Sequence, residues 1–301
     1  MHKQNMAITE FDYALSPLRE AAAYEALWAE PKATVKTIAE KLQEEHYPHP
    51  SAILTSTIID EYEQLLIQLA NKAPVSFNIQ FIGEADYPSR LLDAKYPVPL
   101  LYYQGAWDLI YSPSIAVVGT RQPSEQGIQR TRKLVKELVN DNFTVVSGLA
   151  RGIDTAAHEA AITYGGKTIA VIGTSILDCY PPENRFLQNK IAAEHLLISQ
   201  VPLLRSQQQS YQQNRFFFPE RNKTMSALTL ATIIVEAGET SGALIQATAA
   251  LKQRRRLFIL DSCFQNKSLT WPQKFLSQGA IRVSNYPEIR QVMKNGTAHS
   301  N

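Results

Sequence analysis

The chain has 301 residues, 45% of them hydrophobic and 19% charged, proportions that exclude a disordered chain and leave room for two domains. Its formal net charge of +2 excludes a generally basic surface. A nucleic-acid partner would have to be met by a local cluster of Lys and Arg.

The opening "MHKQNMAITEFDYALS" lacks an apolar leader, and no apolar run reaches membrane-spanning length, so a cytoplasmic protein without a membrane partner is expected. Residues 1–75 read as a helical N-terminal domain. "SPLREAAAYEALWAE" begins with Ser16 as a cap, Pro17 in the first turn and Glu20 near the positive end of the helix. "TVKTIAEKLQEEH" and "SAILTSTIIDEYEQLLIQLANKA" follow, divided by the breaker "YPHP". "TIAEKL" could belong to a helix-turn-helix, but a single amphipathic helix is better read as core packing.

From Phe77 the pattern changes to strands. "FNIQFIG" and "LLYYQG" come first, and then strands and helices alternate: "SIAVVGT", "SEQGIQRTRKLVKELVNDN", "FTVVSGL", "TAAHEAAITYG", "KTIAVIGT", "PENRFLQNKIAAE", "LLISQVP". After a polar stretch at 203–229, expected to be a long irregular loop, the alternation resumes with "ATIIVEA", "SGALIQATAALKQ", "RLFILD", "TWPQKFLSQG" and "AIRVS". Continuous Val/Ile/Leu strands separated by single helices predict an α/β fold, with a Rossmann-like, doubly wound, mostly parallel sheet over residues 76–295. "KNGTAHSN" reads as a frayed end, with 296–301 a flexible tail.

In such a sheet ligands bind outside the carboxyl ends of the strands. Those ends carry Gly119, Thr120 and Arg121; Ser147, Gly148, Arg151 and Gly152; Gly173; and the 236–242 turn with Ser241 and Gly242. "FFFPERNK" at 216–223 can fold back over the same edge, bringing Phe218, Arg221, Asn222 and Lys223. Glycines admit backbone N–H groups close to a ligand, and helix N-termini favour phosphate. With Arg121, Arg151, Arg221 and Lys223 expected at one rim, the ligand should bear phosphate. Phenylalanines interleaved with cations suit single-stranded nucleic acid, with Phe218 expected to face the groove and at least one of Phe216, Phe217 and Phe218 expected in the core.

Asp154 and His158 lie one helical turn apart, where an acid/base pair is conceivable. The structural alternative, Asp154 capping its helix and His158 bracing the turn, is preferred. Glu236 and Glu239 have three readings: binding a sugar hydroxyl, orienting Arg121 or Arg151, or forming a structural ion pair. The chain has no G-x-x-x-x-G-K-[ST], no G-x-G-x-x-G after its first parallel strand and no PGGxGT-type loop, so no cofactor and no catalytic residue is assigned. Cys179 and Cys263 stand far apart without metal-ligand spacing, and no metal is expected. A nucleotide-binding sensor or a nucleotide-hydrolysing enzyme on the same scaffold remains an alternative.

The series "GEADYPSRLLDAKYPVPLLYYQG", "AVVGTRQPSEQG", "VVSGLARGIDTAAHEAAI", "GKTIAVIGTSILDCYPPENRFLQNKIA", "FFPERNKTMSAL" and "IIVEAGETSGALIQATAAL" resembles the DNA-processing protein A family (DprA, also called Smf) from about Ile82 to Ile259. The resemblance implies a single-stranded DNA-binding protein without sequence readout, a homodimer, and delivery of DNA to a RecA-type recombinase in natural transformation or recombination. It also implies that Arg121, then Ser147, Gly148 and Arg151, then Phe218, Arg221, Asn222 and Lys223 line the DNA pocket. Ala227 stands where the family commonly has glycine, and no winged-helix pattern follows the Rossmann-like region within these residues.

Overall fold

A computed structural model describes residues 15–44 and 49–297. Three helices come first: α1 (Pro17–Ala29), α2 (Val35–Glu44) and α3 (Ser56–Lys72). Pro17 opens α1 as expected, whereas the Ser16 side chain makes no capping hydrogen bond. In α2 the buried residues Val35, Ile38, Ala39 and Leu42 follow the helical period, so this helix spends its apolar face on the core. The end of the expected second helix and half of the "YPHP" breaker, Tyr47 and Pro48, lie outside the described residues, as does most of the N-terminal opening.

Strands β1 (Asn78–Phe81) and β2 (Leu100–Gly105) precede the alternating part: β3 (Ser114–Val118), α4 (Glu125–Asn140), β4 (Thr144–Ser147), α5 (Ile153–Thr163), β5 (Thr168–Ile172), α6 (Arg185–Glu194) and β6 (Leu196–Ser199). Three helices, α7 (Leu203–Gln208), α8 (Tyr211–Asn214) and α9 (Phe217–Leu228), occupy the stretch expected to be loop. The chain continues through β7 (Ala231–Ile234), α10 (Ala243–Lys252), β8 (Arg256–Leu260), α11 (Ser262–Gln265), α12 (Trp271–Ser277), β9 (Ile281–Val283) and α13 (Tyr286–Thr297). The correction at α9 has a plain cause. Its buried residues include Arg221, Asn222, Thr224 and Ser226, so the apolar periodicity that marks a helix is missing. α13 carries the chain to Thr297, past Lys294 where fraying was expected; the remaining tail lies outside the described residues.

The strands form one sheet in the order β1-β2-β6-β5-β4-β3-β7-β8-β9. From β6 to β9 every pairing is parallel, while β1 and β2 are antiparallel additions at one edge. Each residue of β3 through β7 is buried, because helices cover both faces. Along β3, Ile115 and Val117 pack with Leu134, Val135 and Ala157 on one side; Ala116 and Val118 pack with Met225 and Ala247 on the other. The N-terminal helices close the β1–β2 end. Trp28 of α1 sits 5.2 Å from the ring of Phe217, and Tyr24 donates to the carbonyl of Gln200 at 2.7 Å.

Strand order reverses around β3 and β7: β4, β5 and β6 run to one side, β8 and β9 to the other. The loops leaving β3 and β7 therefore diverge, and a crevice opens between them at the carboxyl ends.

A candidate nucleic-acid interface at the switch point

That crevice is a cavity of about 660 Å³, walled by residues from the loops after β3, β4, β5 and β7 and by one face of α9. The loops are pressed together where glycines permit it. Gly152 has φ +79°, and a Cβ there would stand 2.5 Å from the carbonyl of Thr120. A Cβ on Gly119 would meet Ile153 at 2.6 Å and the Glu236 carbonyl at 2.7 Å. The amide of Ile153 donates to Thr120 O at 3.2 Å and that of Thr120 to Glu236 O at 2.7 Å, joining three strand mouths. These glycines permit the loops to pack against one another, and Gly119 also lines the cavity.

Part of the wall is a buried polar network. Arg221 is only 4% exposed, and its guanidinium donates to the carbonyls of Gly148 and Val171 and, through Nε, to Asn222 Oδ1 at 2.9 Å. Asn222 passes the connection on, donating to Gly242 O at 3.0 Å. Asp154 Oδ2 accepts the amides of Gly148 at 3.2 Å and Ala150 at 3.4 Å, tying down the loop before its helix, while Gly152 holds the N-cap position itself. Burial lowers Arg221 to about 10, an effect Asp154 partly offsets, and burial raises Asp154 against the pull of Arg221. Arg221 and Asn222 thus brace the cavity from inside.

Other sequence candidates are also structural. Ser147 is fully buried, with Oγ donating to Val117 O at 2.7 Å. Gly173 lies under the ring of Phe218, where a Cβ would collide. His158 shares a hydrogen bond of 2.7 Å with Thr168 Oγ1, and its complete burial depresses it to about 3, so it stays neutral at physiological pH. With Asp154 held by backbone amides, the pair forms no acid/base couple. Glu236 accepts the amide of Ser124 at 2.9 Å and its hydroxyl at 2.7 Å, and Glu239 accepts from Thr270; neither orients an arginine. Ser241 and Gly242 do line the cavity at the start of α10.

Lys223 departs most from expectation. It points away from the cavity, pairs with Glu220 at 2.6 Å and joins the wall of a different one. The rim is therefore carried by Arg121, Arg151 and Arg215, all exposed. Arg151 meets Glu183 at the surface, an ion pair that solvent screens. Arg121 lies over Phe218 at 5.7 Å, and Phe218 is 5.7 Å from the ring of Tyr180, placing two half-buried aromatics beside the cations. Phe217 is fully buried, as at least one of the three phenylalanines was expected to be, and Phe218 faces the cavity. Arg215, Tyr180, Gln122 and Gln246 are lining residues that the sequence reading left off the site. Arg215 was signalled only by standing next to "FFFP"; nothing local marked the others.

Residues 78–294 match the model of the DNA recombination-mediator protein A family. The chain belongs to that family. DNA processing protein DprA of Streptococcus pneumoniae is 41% identical over 203 residues, which cover 67% of this chain and 70% of that protein. Protein Smf of Synechocystis sp. is 39% identical over 213 residues, 66% of this chain but 52% of the relative, so the match spans about half of the Synechocystis protein. Among solved structures, DprA of S. pneumoniae superimposes with a TM-score of 0.67 at 29% identity, covering 92% of this chain and 93% of that one. DNA processing protein A of Helicobacter pylori, described for its single-stranded DNA binding mode, superimposes with a TM-score of 0.59 at 27% identity over 72% of this chain and 96% of its own. As a recombination-mediator A family member, the chain keeps the extended Rossmann-like sheet, with its arginine rim at the switch point.

Among the described residues no helix is long and apolar enough to cross a membrane, and no group of three His, Cys, Asp or Glu side chains is placed to hold a metal ion.

Proposed function

We propose that the cavity at the switch point binds single-stranded DNA without reading its sequence. We further propose that the protein acts as a homodimer that protects such DNA and delivers it to a RecA-type recombinase. The observation that carries the binding is the composition of the rim: Arg121, Arg151 and Arg215 surround the half-buried rings of Phe218 and Tyr180. Cations neutralise phosphates while rings offer stacking platforms to any base, and that mixture favours single strands over duplex. Asp154 is the one carboxylate among the lining residues, and it is buried and engaged, while the exposed Glu183 beside the rim is paired with Arg151. A hydrolytic role finds little support, since neither Asp154 nor His158 is accessible to act as a base. The family to which the chain belongs supports the recombinase step. Fluorescence anisotropy with labelled oligonucleotides across a salt series tests the binding. Affinity should fall steeply with salt and vary little with base composition, and salt-independent or absent binding would reject the reading.

A further inference from the structure

A second cavity, of about 430 Å³, lies on the other side of α9. The helix divides the two: Phe218, Arg221, Asn222 and Met225 face the first, while Glu220, Lys223, Thr224 and Ala227 face the second, as the helical period requires. Its inner wall is apolar and buried at Leu91, Val98, Ala227 and Ala249. Two glutamine amides interrupt it. Gln200 is 1% exposed and Gln253 8% exposed. Gln200 Oε1 accepts the hydroxyl of Thr224, and Gln253 Nε2 donates to Lys223 O at 3.1 Å. Gln200 Nε2 and Gln253 Oε1 are left without a protein partner. Both atoms are closed off from the cavity by their neighbours, so the accessible wall is mainly apolar, as small-molecule sites commonly are.

The rim adds charge. Lys95, Lys223 and Lys252 stand against Asp93 and Glu220. Both acids are already engaged, Asp93 by Arg255 at 2.7 Å and Glu220 by Lys223 at 2.6 Å. Among the described residues Lys95 and Lys252 have no ion pair, so the unbalanced charge at this opening is positive.

We propose that this second cavity is a binding site for a small amphiphilic anion: an apolar ring body in the buried part and one sulfonate, carboxylate or phosphate at the lysine rim. The site is separate from the arginine rim and does not depend on what that rim binds.

The test is a fluorescence titration of the full chain with 8-anilinonaphthalene-1-sulfonate, an aromatic anion that brightens on leaving water. The expected result is saturable binding at one site per chain. Thr248→Trp, at an exposed lining position, should block the opening, and Lys252→Glu, also exposed, should weaken binding about fivefold or more by reversing the rim charge. Arg121→Ala should titrate like the wild type. Circular dichroism checks that each variant is folded. Wild-type titration curves for both Thr248→Trp and Lys252→Glu overturn the proposal, as does loss of the signal in Arg121→Ala, which would put the probe in the first cavity. Failure of the chain to bind oligonucleotides would reject the DNA reading and leave this titration unchanged.

Discussion

The guanidinium of Arg221 fills the space that a side chain on Gly148 would need: a Cβ at Gly148 would stand 2.6 Å from the guanidinium carbon. The same guanidinium donates to the Gly148 carbonyl and to Val171 O at 2.6 Å, so the β4 and β5 ends are fastened to α9 through one buried cation. Gly148→Ala should therefore displace a side chain that cannot move cheaply, destabilising the fold by about 1–3 kcal/mol. Arg221→Leu should cost more, about 3–5 kcal/mol, because Asp154 would remain buried without its cation. Urea unfolding midpoints check both. A variant of Arg221 with an unchanged midpoint and weakened oligonucleotide binding would mean that the arginine serves the ligand instead.

Arg121 and Lys223 should separate cleanly. Arg121 is exposed on the rim, while Lys223 faces the second cavity and is paired with Glu220. Arg121→Ala should lower oligonucleotide affinity and reduce the slope of log affinity against log salt by about 1. Lys223→Ala should leave affinity within about twofold of wild type, because a charge outside the cavity contacts no phosphate. Anisotropy titrations at several salt concentrations distinguish the two, and equal losses would mean that DNA follows a path across both cavities.

Phe218 offers the test of stacking. Its ring sits between Arg121 and Tyr180 over Gly173. Phe218→Leu keeps an apolar side chain there but removes the flat face, and should weaken oligonucleotide binding by about 1–3 kcal/mol regardless of base. Melting temperature measured in parallel separates a lost contact from a lost fold. Unaltered affinity would remove Phe218 from the interface.

Acid should weaken the fold through His158. Burial depresses the folded-state value to about 3 from the ordinary 6.5, so below 6.5 the unfolded chain takes up a proton that the native chain refuses. Its contribution is complete above pH 6.5 and is lost as pH falls toward 3, by up to about 1.4 kcal/mol per pH unit. Glu25 works in the opposite direction. Its burial raises it to about 7, so its contribution is present below the ordinary 4.5 and fades as pH rises through 7. The difference between wild type and His158→Gln isolates the histidine. The wild-type advantage in urea midpoint should shrink from pH 7.5 to pH 4.5, and a constant difference would contradict a buried neutral imidazole.

Much of the site could be read from the chain, and the misreadings have a common origin. Arg121 and Phe218 were rightly placed at the cavity, because β3 ends in "GTR" and because an aromatic beside a proline was expected to face outward. The same residue types group Arg221 and Lys223 with them as free cations and predict a loop where α9 stands. In that stretch the buried positions carry Arg, Asn, Thr and Ser, so the usual equation of polar with exposed fails. The third rim cation, Arg215, lay next to the aromatic run but had no motif to mark it.

Alternating apolar strands and amphipathic helices determine the mostly parallel sheet, because burial of Val, Ile and Leu is a property of side-chain type repeated at regular spacing. The motif series from Ile82 to Ile259 marks the family. The strand order, and with it the switch point, came from the tertiary structure. Which cation would be braced inside, which would reach the rim and which would turn to another cavity was decided only when α9 packed across the mouths of β4 and β5. A long polar side chain has no preferred side until its helix has a neighbour, and on α9 the neighbour supplied two carbonyls and a buried carboxylate to Arg221 and none to Lys223.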